Sequence, residues 1–194
     1  MTGWLWVGAV GAYLVLAGFF VLERFVRVAG ARDMRRGDTD RGSTTFVSVA
    51  MAVAFVIIPL TPLLNWWGCG RIGSPVAGAI GVVLGIVGLV VRYRAFTTLG
   101  RFFTRTLQET DQHRLVTDGV YRRIRHPGYL SDMLIFWGAA LAMGNWITLT
   151  VVVVLFVPAY AYRIRTEEAL LTDIFGRAYR DYQHRSARLI PGLW

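Results

Sequence analysis

Four stretches of the chain carry no charge: Met1–Leu22, Gly42–Gly70, Ile72–Val91 and Met133–Tyr162. Each has about the ~20 residues that a helix rising ~1.5 Å per residue needs to cross a ~30 Å hydrocarbon core. Polar residues gather between these runs rather than alternating within them, so the pattern predicts membrane helices joined by polar loops. The fourth run is the longest, and as a single helix it would reach about 45 Å, too long for one crossing without steep tilt. Gly144-Asn145 near its middle is a turn signal, and Pro127 suits a helix's first turn. Two short helices forming a hairpin over 127–162 follow, giving an all-α integral membrane fold of five transmembrane helices.

Arginine placement predicts the orientation. Arg24, Arg27, Arg32, Arg35, Arg36 and Arg41 follow the first span, so that loop should be cytosolic and the N-terminus outside. The next loop, near Gly68–Pro75, holds only Arg71 and should be external. Arg92, Arg94, Arg101 and Arg105 return to the inside, and a hairpin keeps Arg163, Arg165, Arg177, Arg180, Arg185 and Arg188 there as well. The first run lacks a basic leader and is followed by Glu23, Arg24 and Arg27 rather than a small-residue cleavage site. It is expected to persist as a span.

Composition agrees. The chain is 55% hydrophobic with mean hydropathy +0.46, which places it outside the range of soluble domains. The +9 net charge comes from 21 arginines that flank the apolar runs, where topology and anionic headgroups account for them. No groove-reading module stands beside the four runs, so no nucleic-acid partner is expected. Cys69 is the sole cysteine and reads as a small residue in a tight loop. Gly78, Gly81, Gly85 and Gly88 line one face of the third span, a packing surface for close helix approach. Between spans, Ala95–Arg125 has short extended pieces near Thr104–Gln108 and a turn at Asp118-Gly119. Glu167–Tyr182 reads as the last span continuing into an amphipathic cytosolic helix.

Chemistry concentrates at the ends of the hairpin. Arg163 and Glu167 lie at i and i+4 on one helix face, with Glu168 about 100° away. An interfacial ion pair explains them, but two acids directly after an apolar span also suit a ligand's hydroxyl or ammonium groups. His126, held extended by Pro127, opens the hairpin beside Arg125. Asp132 is an acid within apolar sequence, functional by default, with Arg125 and Tyr129 as its nearest candidate partners. No metal-ligand spacing joins His113, His126 and His184, so no metal is expected.

Together these motifs resemble a known family, the integral-membrane methyltransferases similar to isoprenylcysteine carboxyl methyltransferase. The resemblance rests on His113/Leu115/Val116/Gly119/Tyr121, Arg125/His126/Pro127/Tyr129, Glu167/Glu168, Phe175/Gly176/Tyr179 and the tail Arg188-Leu-Ile190-Pro191, in that order over roughly Leu99–Pro191. The chain as a whole reads as one membrane domain over 1–194, with three helices in 1–91, and the resemblance makes 92–194 its cofactor-binding catalytic half. It further implies S-adenosylmethionine in a pocket formed by the loop after the third span and the C-terminal helix. His113, Leu115, Val116, Gly119, Tyr121, His126, Pro127, Tyr129, Glu167 and Glu168 would contact the cofactor. Arg163, Glu167 and His126 are the catalytic candidates, and Arg125, Asp132 and Arg163 would meet the acceptor.

A carboxylate acceptor is already ionised and needs no base, whereas a phenol, thiol or amine would need one from Glu167, His126 or Asp132. A prenylcysteine-type carboxylate is the first acceptor; other lipid O-, N- or S-acceptors stay open. So do an NADPH-dependent membrane reductase and a non-enzymatic scaffold or channel subunit. The acceptor would enter from the bilayer and the cofactor from the cytosol.

Overall fold

The computed structural model describes residues 3–28, 41–99 and 115–192. Its helices are α1 (Gly3–Val28), α2 (Ser43–Trp66), α3 (Pro75–Leu99), α4 (Pro127–Ala142), α5 (Trp146–Phe175) and α6 (Arg177–Arg185), with a 3-10 turn over Gly119–Arg122. Among the described residues the extended contacts are two isolated bridges, Arg71 with Asn145 and Ile124 with Ala187. Helices α1, α2, α3 and α5 are long and apolar enough to cross a membrane, and their outer faces expose Val7, Leu14, Val56, Val83 and Val154. This is an integral membrane protein.

The hairpin lies where the sequence predicts it, with α4 starting at Pro127 and Gly144 turning at φ 65. Asn145 caps α5: its side-chain oxygen accepts from the Thr148 amide at 3.1 Å. The two arms are unequal. α4 has 16 residues, about 24 Å, whereas α5 runs 30 residues because it continues past Tyr162 into charged sequence. The shorter helix is the inner one. It buries Ser131, Asp132, Met133, Ile135, Phe136, Gly138, Ala139, Ala140 and Ala142 against α1, α3 and α5.

The glycine face of α3 is what allows this. A Cβ on Gly138 of α4 would lie 2.5 Å from the Gly85 nitrogen and 2.6 Å from the Gly81 oxygen. The two backbones therefore touch, and dispersion between them replaces a hydrophobic term that lipid cannot supply. At the end remote from Pro127, Asn145 donates to the Asn65 side chain at 2.9 Å and to the Cys69 carbonyl at 2.7 Å. Asn65 donates to the Met143 carbonyl at 2.9 Å, and the Arg71 guanidinium to the Asn65 carbonyl. The α2–α3 loop and the hairpin turn are thereby clasped together.

Two expectations need adjustment. Glu167–Tyr182 is not one helix, because Gly176 at φ 54 separates α5 from α6. A left-handed residue cannot continue a right-handed helix. Asp118-Gly119 does turn the chain, but into a 3-10 helix. The expected extended piece at Thr104–Gln108 lies outside the described residues.

Candidate functional site

The apolar part of α5 ends at Tyr162, and the next turns carry Arg163, Glu167 and Glu168 towards the start of α4. There Pro127 sets the first turn, leaving His126 as the helix N-cap. Beyond α6 the chain runs back beside this entry. The Arg125 amide donates to the Ala187 carbonyl at 2.8 Å, His126 to Arg188 at 3.0 Å, and Ala187 to Arg123 at 2.9 Å. The Arg-His-Pro motif is thus held as a short strap between helix and tail.

His126 is buried, with its imidazole between the two acids. Nε2 lies 3.4 Å from a Glu168 oxygen and Nδ1 3.8 Å from Glu167. The ring stacks on Tyr129, 5.5 Å between centroids and 9° from parallel. The Tyr129 hydroxyl donates to Glu167 at 2.5 Å and accepts from Arg163 Nε at 3.0 Å. The i, i+4 pair foreseen on α5 is therefore bridged by a phenol from α4. Arg163 is buried, and its Nη1 also donates to Ser43 at 2.9 Å and Thr44 at 2.8 Å, both at the start of α2.

The two glutamates differ in character. Glu168 is buried and accepts from Arg125 Nε and Arg188 Nε, each at 2.8 Å, as well as facing His126. Arg125 in turn donates to the carbonyls of Gln183, at 3.1 Å, and Ser186. Glu168 and Arg125 together form a buried brace between α5, the strap and the tail. The Glu167 side chain keeps 24% exposure, so one carboxylate in the cluster is open to a ligand.

Asp132 is buried in α4, but its partners are not Arg125 and Tyr129 as anticipated. It pairs with Arg92 of α3 and accepts from the Tyr160 hydroxyl at 2.9 Å. Arg92 also bonds Glu23 of α1 and donates to Ser131 at 3.3 Å. The Arg92 guanidinium lies 4.5 Å from the Phe19 ring centroid and 4.7 Å from that of Phe96. Arg125 is engaged by Glu168 instead. Sequence reasoning had read Glu23 and Arg92 only as topology charges; nothing local reveals an ion network spanning three helices.

The remaining candidates frame this cluster. Leu115 and Val116 are half-buried, and His113 lies outside the described residues. Gly119 sits at φ 56 with Thr98 against it, so a side chain there would be strained twice over. Tyr121 is buried, and its carbonyl accepts from the Tyr182 hydroxyl at 2.5 Å. Burial pushes the Tyr182 phenol up to about 12. Burial also raises Tyr121 and Tyr179, helped by the charges of Glu167 and, for Tyr179, Glu168. All three phenols are protonated at neutral pH. Among the described residues the buried Tyr179 hydroxyl has no hydrogen-bond partner, although the charges of Glu167 and Glu168 help raise its pKa.

The donor set fits S-adenosylmethionine. An accessible carboxylate suits ribose hydroxyls or the α-ammonium group, and stacked aromatic rings suit a sulfonium.

Comparison with known proteins points the same way. The family model for phospholipid methyltransferases matches residues 76–178. A probable protein-S-isoprenylcysteine O-methyltransferase of Oryza sativa subsp. indica is 35% identical over 114 residues, covering 58% of this chain and 60% of that protein. The protein-S-isoprenylcysteine O-methyltransferase of Schizosaccharomyces pombe is 30% identical over 107 residues, 54% of this chain and 45% of its own. The structure of the eukaryotic intramembrane Ras methyltransferase, isoprenylcysteine carboxyl methyltransferase, superposes with a TM-score of 0.59 at 25% identity. That match covers 76% of this chain and 52% of the other. The chain thus spans about 60% or less of the length of these relatives. With the family model covering α3 through α5, and with them His126, Tyr129, Arg163 and both glutamates, the chain belongs to the phospholipid methyltransferase family.

Proposed function

We propose that this protein is a membrane methyltransferase moving a methyl group from S-adenosylmethionine to a lipophilic acceptor, a prenylcysteine-type carboxylate. The observation that carries the reading is the half-open Glu167 carboxylate, bonded by the Tyr129 hydroxyl and facing the His126 ring that stacks on Tyr129. When bound, the cofactor supplies an electrophilic methyl on a sulfonium. The chain's own residues hold and orient. Glu167 would accept from the cofactor's hydroxyl or ammonium groups, and Leu115, Val116 and Tyr121 would flank it with His113. His126, Pro127, Gly119 and Glu168 fix the shape of the wall.

Arg163, anchored by Ser43 and Thr44 where the apolar part of α5 ends, orients the acceptor carboxylate. That nucleophile is already ionised, so positioning and exclusion of water provide the acceleration. Arg125 and Asp132 act as braces rather than acceptor ligands, the first through Glu168 and the second through Arg92. The acceptor enters between helices from the lipid, and the cofactor from the cytosolic side.

The name of the matched family favours a second acceptor, a phospholipid amine, for which Glu167 or His126 would serve as base. Two steps separate the readings. Calorimetric titration of detergent-solubilised protein with S-adenosylhomocysteine, with NADPH alongside, is expected to show binding of the former alone, and Glu167→Ala is expected to abolish it. NADPH binding without S-adenosylhomocysteine binding would point to a reductase. Labelled methyl transfer to an N-blocked farnesylcysteine should then give an alkali-labile ester; label in phosphatidylethanolamine instead would name the amine.

A further inference from the structure

Beside the strap, and outside the acid cluster, lies a solvent-open hollow of about 430 Å³ lined by Arg123, His184, Arg185, Ser186, Ala187, Pro191 and Gly192. Arg123 and Arg185 are exposed, and among the described residues neither has a carboxylate partner. Arg185 only rests against the Tyr182 ring, 6.0 Å from its centroid. Arg125 and Arg188, by contrast, both pair with Glu168. The lining of this hollow thus carries two arginines without a carboxylate partner among the described residues, together with a histidine.

Its depth relative to the membrane is readable. Leu189 reaches the apolar core of the bundle, while the adjoining Ile190 is exposed. The hollow adjoins that exposed isoleucine at the level where α4 begins and the apolar part of α5 has ended. With the apolar runs taken as the spans, that level is where headgroups would lie.

We propose that this hollow binds the phosphate headgroup of an anionic phospholipid. Arg123 and Arg185 would clasp the phosphate in forked charge-assisted hydrogen bonds, with His184 adding a donor. Arg123 lies on the strap and Arg185 at the end of α6, so a shared anion would fasten the two segments that the 187–123 backbone bond already joins.

The test is native mass spectrometry of the full chain in detergent, titrated separately with dioleoyl phosphatidylglycerol, dioleoyl phosphatidylcholine and inorganic phosphate. Because lipid retention is read directly, the result does not depend on methyl transfer. Phosphatidylglycerol is expected to be retained in preference to phosphatidylcholine, and R123Q/R185Q to weaken that retention by about thirtyfold. The charge-matched control R177Q/R180Q, on the same helix but outside the hollow, is expected to retain it. Equal loss in both variants would reduce the effect to diffuse charge and overturn the site. Equal retention of the two lipids would overturn it too. Inorganic phosphate competing away the lipid's preference at similar concentration would reassign the hollow to a free anion and overturn the lipid reading.

Discussion

At the scale of single residues, the two adjacent glutamates divide the work of the site. Glu168 is the acceptor for two arginines, one buried and one 35% exposed. Removing one member of a buried, hydrogen-bonded pair costs about 3–5 kcal/mol, whereas an exposed pair is worth roughly 0–1 kcal/mol. Glu168→Ala is therefore expected to lower the thermal midpoint in detergent strongly and Arg188→Ala only slightly; equal shifts would mean that Arg125 gains little from its partner. Tyr129→Phe should behave in the opposite sense. It removes the hydroxyl joining Arg163 to Glu167, and a bond to a charged group is worth about 1.5–3 kcal/mol. Roughly ten- to a hundredfold should be lost from S-adenosylhomocysteine affinity or transfer rate, with the fold retained on size-exclusion chromatography. His126, Tyr129, Arg163 and the glutamate pair were legible in the sequence because each stands where an apolar run meets a polar one. Asp132's partners were not, since Arg92 lies 40 positions upstream, and an arginine after a span looks the same whether it faces headgroups or a buried acid.

At the scale of elements, α4 is the helix on which the arrangement depends. Being surrounded, it need not match the thickness of the bilayer, and its 16 residues carry a buried acid at the site end without exposing it to lipid. That burial requires backbone contact with α3. Gly138→Val is expected to force α3 and α4 apart, because the atoms its Cβ would meet are the backbone of Gly85 and Gly81 rather than movable side chains. Overpacking of this kind costs about 1–3 kcal/mol or more, and should appear as a lower yield of monodisperse protein and faster proteolysis. Gly128→Ala on the same helix meets nothing within 4 Å and should be neutral or mildly stabilising. The glycine face was visible in the sequence from its 3, 4, 3 spacing, but its partner was not: Gly138 sits alone among larger residues. The break at Gly176 was equally hidden, since polar sequence continues with helical spacing on both sides and only the glycine's positive φ ends the helix.

At the scale of the whole molecule, the direction of α4 decides how many times the chain crosses the membrane. Its first residue adjoins the acid cluster, while its C-terminal turn is clasped by Asn65, Cys69 and Arg71 at the opposite end of the bundle. Three helices, α3, α4 and α5, therefore separate the α2–α3 loop from α6. If each crosses, the loop and α6 face opposite sides, and arginine placement predicts the cytosolic side for α6. Cys69 makes this measurable, because it is exposed in that loop and is the sole cysteine in the chain. A membrane-impermeant maleimide is expected to label Cys69 in intact bacterial spheroplasts. In Cys69→Ser/His184→Cys it should label the new thiol only after the membrane is opened. The reverse pattern would invert the orientation and leave Glu167 facing away from cytosolic cofactor. Labelling of both from one side would mean that α4 enters without crossing; Asp132 and Arg92 would then lie near an aqueous face, where so tightly paired an ion network would not be needed.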